Sequence, residues 1–367
     1  MIKKFFVITG EASGDILAFN VFKNLHKNKN LKISGILGEK LKKLRIQNIF
    51  SNHEITFFGI SEVLLNIFSI KKKIEKTVKY IERFKPDIVF SVDSPDFVLQ
   101  VIKIIKKNKK VKTKFFHYVA PTVWAWREDR LIQIKKSFDK VYLLFDFEKK
   151  IFDKFNIVSR FVGHPFFEKF TPNLNPKVNH KMISFCPGSR KSELKKFLPI
   201  FKKVMILLGK NYQYHIAINK NHYSYVKSFF KNFEYKLMIN YESEKKFYYF
   251  KKSILSVAKS GTVTLDLCKA QIPIITVYKF DAFTYFFAKF LVKVKYGNII
   301  NIMAKKMLIP ELIQQNCTPT KIVNKINYYI NNKSERLSMI SNYNKVLRRI
   351  SNKKTSSIIA KDLLANI

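Results

Sequence analysis

The chain has 367 residues, 47% of them apolar, which is enough for two domains that each bury a core. Its 35 Phe and 17 Tyr against only 10 Gly exclude a disordered chain. The net charge of +43 demands anionic surroundings, either nucleic acid or an anionic membrane, although Lys, Asn, Ile and Phe are abundant throughout, as an A+T-rich genome would produce.

The amino-terminal string MIKKFFVITGEASGD has too short an apolar run for a signal peptide. No stretch approaches the roughly 18 uncharged apolar residues of a spanning helix, so the chain is expected to be soluble or to lie on a membrane. FFVIT (5–9) predicts a buried strand, and 15–28 a helix opened by Asp15. KISGIL (32–37), DIVFSVD (87–93), KFFHYVA (114–120) and KVYLLF (140–145) predict further strands, with helical patterns between them. After the polar stretch 171–181 the rhythm restarts with MISFCPGSR (182–190), YHIAIN (214–219), LSVAKSG (255–261) and IPIITVY (272–278). A polar helical tail runs from about 334 to 367. Such alternation predicts an α/β chain of two halves with parallel sheets, joined near 165–181 and facing across a cleft. The cysteines Cys186, Cys268 and Cys317 are far apart and odd in number. That suits a reducing cytoplasm and argues against a disulfide framework or zinc site.

Six loops carry polar residues where ligands gather in parallel sheets, beyond the carboxyl ends of strands. GEASGD presents Gly10, Glu11, Ser13, Gly14 and Asp15 and lacks the Lys of a Walker loop. Asp15 there either caps a helix or meets a ligand. In SVDSPDF, Asp93 ends an apolar strand and either caps a turn or serves as a general base, while Asp96 reads as a helix cap. HYVAPTVWAWREDR holds both tryptophans, Trp124 and Trp126, beside Arg127 and Arg130. It is either a packing corner or a surface for a sugar or acyl chain beside a phosphate. FVGHP places His164 at a hinge-like Gly-Pro turn, as a phosphate donor or a structural residue. In CPGSR, Gly188, Ser189 and Arg190 precede a helix and offer N–H groups and a guanidinium to a diphosphate. AKSGTVTLD adds Ser260, Gly261 and Thr262, with Asp266 one turn later as a ribose acceptor or a surface carboxylate.

These strings, together with FFGISEVL, FEKKIFDKFN and NIMAKKMLIPELIQQNC, resemble one family in order and over about residues 5 to 320. The family is the lipid-A-disaccharide synthases, inverting glycosyltransferases of GT-B architecture. GEASGD and PTVWAWR are the specific strings, whereas PGSR and SGT are shared with other nucleotide-sugar enzymes. The resemblance implies an acceptor-binding Rossmann-like domain over 1–168, joined by a carboxyl-terminal helix at about 345–367, and a donor-binding one over 169–344. It implies UDP-2,3-diacylglucosamine as donor and 2,3-diacylglucosamine 1-phosphate (lipid X) as acceptor. Asp93 is the implied base. Arg190 and the SGT turn stand in for a metal, and neither metal nor cofactor is implied. Gly10, Glu11, Ser13, Gly14, Trp124, Trp126, Arg127, His164, Asn301 and Glu311 fall in the acceptor or sugar-binding set. Two departures stand out: Asp266 where the family often has Glu, and ISGILGEKL where it often has a Gly-rich string with Pro and Arg.

Two apolar stripes have helical spacing and basic flanks. Ile60, Val63, Leu64, Ile67 and Phe68 precede Lys71, Lys72 and Lys73, and Phe283, Phe286, Phe287, Phe290 and Leu291 interleave with Lys289, Lys293 and Lys295. Each is either a core-facing helix or a surface for the anionic inner membrane. The expected location is cytoplasmic, at the periphery of that membrane. A UDP-N-acetylglucosamine 2-epimerase on the same scaffold is the rival enzyme, but it leaves PTVWAWR and the stripes unexplained. A transferase of the peptidoglycan pathway is a near neighbour with different motifs. No specific nucleic-acid partner is expected, because the lysines are spread evenly rather than gathered with aromatics into a recognition module. A homo-oligomer is allowed by the sequence without being specified.

Overall fold

A computed structural model describes all residues except 1, 26, 28–29, 56–65, 122–128, 169, 172–178, 281–294 and 352. The chain divides into two compact units, Met1–Glu168 with Ile350–Ile367, and Lys169–Arg349.

The first unit alternates strands and helices: β1 (Lys3–Thr9), α1 (Ala12–Leu25), β2 (Leu31–Leu37), α2 (Glu39–Lys42), β3 (Gln47–Ser51), α3 (Ile67–Phe84), β4 (Ile88–Val92), α4 (Pro95–Asn108), β5 (Lys114–Tyr118), α5 (Asp129–Ser137), β6 (Lys140–Leu143), α6 (Asp146–Lys154) and β7 (Ser159–Phe161). The seven strands form one sheet in the order β3-β2-β1-β4-β5-β6-β7, all parallel. Helices cover both faces of such a sheet, so its central strands read as near-continuous apolar runs. β4 is buried at every residue, and β1 from Phe5 onward. One core lies under α3 to α6 and includes Phe6, Val89, Ile102 and Phe152. The other includes Phe5, Phe22, Phe90 and Tyr142 and is closed by Ile359 and Leu363.

The second unit repeats the plan with β8 (Asn179–Cys186), α7 (Lys191–Leu208), β9 (Gln213–Ala217), α8 (Tyr223–Phe229), β10 (Leu237–Asn240), α9 (Ser243–Lys252), β11 (Ser253–Lys259), α10 (Val263–Lys269), β12 (Ile274–Tyr278), α11 (Ile299–Ala304), β13 (Glu311–Ile313), α12 (Pro319–Asn331) and α13 (Lys333–Leu347). Its parallel sheet has the order β10-β9-β8-β11-β12-β13. α14 (Thr355–Leu364) then returns to the first unit. Expected near 345, the return begins at Ile350, because Tyr343 donates to Ile272 O and Asn344 to Gln271 Oε1 within the second unit. α14 is locked by Asp362, which accepts from Tyr142 Oη at 2.6 Å, Lys140 Nζ at 2.9 Å and Arg160 Nη1 at 3.0 Å. Glu168 accepts from Ser356 N, and Thr355 Oγ1 donates to Val162 O. The segment expected as a hinge, 161–168, is therefore the anchor of the returning chain.

Each unit buries one Ser–His pair between adjacent strands. Ser91 Oγ lies 2.8 Å from His117 Nδ1 in the first, and Ser184 Oγ lies 2.8 Å from His215 Nδ1 in the second. Ser253 donates to Tyr249 O, so Ser184 donates to Ser253 and His215 Nδ1–H donates to Ser184. The Nε2 atom of His215 is then a bare acceptor, and the Nε2 atom of neither ring has a hydrogen-bond partner among the described residues. Burial pushes both histidines down to about 3, so they stay neutral in the folded chain. The unfolded chain binds those protons from pH 6.5 downward, so stability is full above that pH and falls as pH drops toward 3. Urea unfolding at pH 7 and pH 5 should therefore show a loss of roughly 2 kcal/mol per histidine. His117→Phe, which keeps a ring against Phe138, should remove one histidine's share of the loss from the first unit and leave that of the buried His164.

Candidate functional site

In both sheets the strand order reverses beside the first strand of the unit, between β1 and β4 and between β8 and β11. Loops leaving the carboxyl ends of such a pair diverge to opposite faces and open a crevice.

In the first unit this brings GEASGD and DSPDF together. Gly10 N donates to Val92 O at 3.3 Å. Any Cβ on Gly10 would lie 1.6 Å from Ser94 Oγ, and one on Gly14 would lie 3.1 Å from Val92 O. The space over both glycines, which the resemblance puts in the acceptor or sugar-binding set, is thus filled by the neighbouring loop, and they serve close packing of loop on loop. Asp93 and Ser94 follow β4 with φ of 60° and 47°, and Val119 follows β5 with φ of 72°. Left-handed backbone costs each such side chain on the order of 1–3 kcal/mol and gathers at functional sites. Asp93 N donates to Tyr118 O, and its Oδ1 accepts from Ser94 N at 2.9 Å, which pins the half-buried carboxylate at the rim of the sheet. Glu11 is half-buried and Ser13 exposed on the same rim.

Other acidic residues of these loops belong to the scaffold. α1 begins at Ala12 rather than Asp15. The buried Asp15 carboxylate instead accepts from Gly38 N, Lys40 N and Leu41 N, and so caps α2. Asp96 pairs with Arg130. His164 accepts from Phe166 N through Nδ1 and packs among Phe145, Phe166 and Phe167. Burial pushes it down to about 4, so the ring is neutral, and with Nδ1 accepting, its proton sits on Nε2. Trp124, Trp126 and Arg127 lie outside the described residues.

In the second unit the crevice is a cavity of about 240 Å³. Gly188, Ser189, Gly261, Thr262 and Asp266 line it, as the sequence suggested. Asp266 is half-buried rather than a surface carboxylate; burial raises its pKa, against the pull of Lys246 and Lys269. Arg190 is exposed at the N-cap of α7, beside Ser189 and outside the lining set. The lining also includes Glu193, Asn219, Lys246, Phe247 and Lys259, which sequence reasoning missed. Lys259 was legible as the last residue of a strand, immediately before SGT. Glu193 was legible as an acid three residues into a helix.

Two expected sugar-binding residues are internal struts. Asn301 is fully buried; its Oδ1 accepts from Leu308 N and Ile309 N, and its Nδ2 donates to Ile309 O and to Glu311 Oε1. Glu311 also accepts from Gly297 N and Asn298 N. Ser260 Oγ donates to Gly297 O at 2.6 Å, so this network reaches the cavity only by holding the SGT turn in place. Among the described residues, no group of three or more His, Cys, Asp or Glu is placed to hold a metal ion.

Two doubly wound parallel sheets, each with a crevice at its switch point, are the architecture of the GT-B fold. The chain is similar in fold to MurG of Acinetobacter baumannii, with a TM-score of 0.58 and 13% identity over 100% of both chains. It is similar also to the UDP-GlcNAc 2-epimerase of Neisseria meningitidis solved bound to UDP-GlcNAc, with a TM-score of 0.64 and 13% identity over 99% of this chain and 100% of that one. The model of the lipid-A-disaccharide synthetase family matches residues 5–362, and the chain belongs to that family. It is 31% identical over 376 residues to the lipid-A-disaccharide synthase of Rickettsia prowazekii, covering 98% of each.

Asn301→Leu should destabilise the second unit by about 2–4 kcal/mol, since it leaves buried N–H and C=O groups unpaired. Urea unfolding checks this; a residue that only touched sugar would raise KM and leave stability unchanged.

Proposed function

We propose that the chain joins UDP-2,3-diacylglucosamine to 2,3-diacylglucosamine 1-phosphate, giving lipid A disaccharide 1-phosphate and UDP in lipopolysaccharide synthesis. The observation that carries this reading is the family match from residue 5 to residue 362, which spans both crevices. The same match decides against the epimerase alternative, which fold similarity alone leaves standing.

On this reading the first unit takes the acceptor and the second the donor. Asp93 accepts the proton of the acceptor's 6-hydroxyl as that oxygen attacks the anomeric carbon. The bond from that carbon to the β-phosphate oxygen breaks, its electron pair leaves with UDP, and the anomeric configuration inverts. The left-handed backbone at Asp93 and Ser94, with the Ser94 N–H on Oδ1, supports this role because it fixes the carboxylate in one orientation. Gly188, Ser189, Gly261 and Thr262 face the diphosphate, Arg190 adds a cation at the rim, and Asp266 faces the ribose. Glu11 and Ser13 face the acceptor sugar.

The chain works at the cytoplasmic periphery of the inner membrane, where both lipid substrates reside. Among the described residues no helix is long and apolar enough to cross a membrane. Supporting a surface contact, Ile67 and Phe68 are 51% and 80% exposed at the start of α3, beside exposed Lys71 and Lys72. The other residues of that stripe, Ile60, Val63 and Leu64, lie outside the described residues, as does the stripe over 283–291.

Purified protein given both lipid substrates should release UDP and yield the disaccharide phosphate by mass spectrometry. Asp93→Ala should lower kcat by about 10²–10⁴-fold while sparing UDP affinity; near-normal turnover would remove Asp93 from the base role. In flotation assays the chain should rise with anionic vesicles at low salt and release as salt increases, with Phe68→Asp weakening the association.

A further inference from the structure

The inference rests on the reading that the second unit's cavity holds the donor diphosphate. Lys259 ends β11 at the carboxyl rim of the sheet, and its side chain is only 17% exposed. Its Nζ lies 2.9 Å from Glu193 Oε1 and 5.1 Å from the ring centre of Tyr278. The other Glu193 oxygen, Oε2, accepts from Ser189 N at 2.8 Å and Arg190 N at 3.2 Å. Burial works against the charge of this carboxylate, but Lys259 and the two N–H groups more than offset it and hold its pKa below the usual range. Gly188 belongs here because a Cβ would lie 2.2 Å from Glu193 Oε2.

The N–H cradle at the start of α7, expected to take a diphosphate, is therefore filled by the chain's own carboxylate. A diphosphate entering this cavity finds those two donors occupied. It meets instead Lys259, a charged donor already desolvated and held in one orientation. The cavity's other lining lysine, Lys246, sits on α9 and is not tied to a carboxylate by any described ion pair.

We propose that Lys259 is a diphosphate-binding and leaving-group residue of this transferase, kept poised by Glu193. As the bond between the anomeric carbon and the β-phosphate oxygen breaks, that oxygen gains negative charge. The Lys259 ammonium donates a hydrogen bond to it, and no proton changes owner. Glu193 is a positioning residue. It limits the rotamers of Lys259 before binding, and it competes with the diphosphate for the same ammonium. If the pair were only a strut between β11 and the turn before α7, no such competition would exist.

The test uses the full chain, with UDP and uridine as calorimetric probes at fixed ionic strength. Glu193→Gln retains an oxygen for the two N–H groups and removes the competing charge. UDP should bind about threefold tighter or more, with uridine unchanged. Adding Lys259→Met to Glu193→Gln leaves neither partner as an unpaired buried charge. Relative to Glu193→Gln alone, this double variant should bind UDP about tenfold more weakly or worse, bind uridine unchanged, and show a kcat lower by at least about tenfold. Equal UDP affinity in the two variants, or weaker UDP binding on Glu193→Gln, would overturn the proposal while leaving the cavity as the nucleotide site. Failure of the wild type to bind UDP would overturn the reading of the cavity itself, and this proposal with it. Should Glu193→Gln not fold, the double variant against wild type serves instead: it should bind UDP more weakly with uridine unchanged, and equal UDP affinity would overturn the proposal.

Discussion

Everything in this molecule depends on one topological constraint. Strands that run parallel need helical crossovers, and a sheet wound outward in two directions must reverse its order beside its first strand. At that reversal two neighbouring strands send their loops to opposite faces. Here the reversal pairs β1 with β4 and β8 with β11, so residues more than 60 positions apart in the chain meet at atomic distance. Ser94 fills the space over Gly10, and Lys259 reaches the carboxylate that closes the turn after Gly188. Both candidate sites are products of this winding, not of local sequence.

The second theme is how a chain with net charge +43 spends its few carboxylates. Asp15 satisfies three backbone N–H groups at α2, Glu193 two before α7, and Glu311 two at 297–298. Asp362 gathers a lysine, an arginine and a tyrosine to fasten the returning helix. Each sits where an orphan N–H group or a cluster of cations would otherwise be uncompensated. Two carboxylates on the crevices are not used in this way. Asp93 is held by a strained turn and a single neighbouring N–H, and Asp266 lines the donor cavity. Most scaffold acids are thus saturated with donors while Asp93 and Asp266 are not, and Glu193 stands between the two groups, saturated with donors yet lining the donor cavity.

The buried histidines illustrate the same accounting in the sheets. Ser91 with His117, and Ser184 with His215, place polar pairs inside otherwise apolar layers. They are tolerated because each imidazole stays neutral and shares a hydrogen bond with a serine that is itself bonded onward, Ser91 to Phe116 O and Ser184 to Ser253.

Much of this was written in the chain itself. Continuous apolar runs marked the central strands, because a strand covered on both faces has no polar side. The restart after 171–181 marked a second unit, and PGSR and SGT fell beside the cavity because Gly-bearing turns follow strands. The short edge strands Gln47–Ser51, Ser159–Phe161, Leu237–Asn240 and Glu311–Ile313 were illegible, since an edge strand is half exposed and its composition looks like a loop. What the sequence could not decide was partnership. Whether Asp15 meets a ligand or caps α2, whether Asn301 touches sugar or backbone, and whether the turn before α7 is open or filled by Glu193 all depend on distances between residues that only the winding brings together. Residue type and order determine which groups are present and which elements they ride on. Tertiary packing alone decides which of those groups have their hydrogen-bonding capacity already spent.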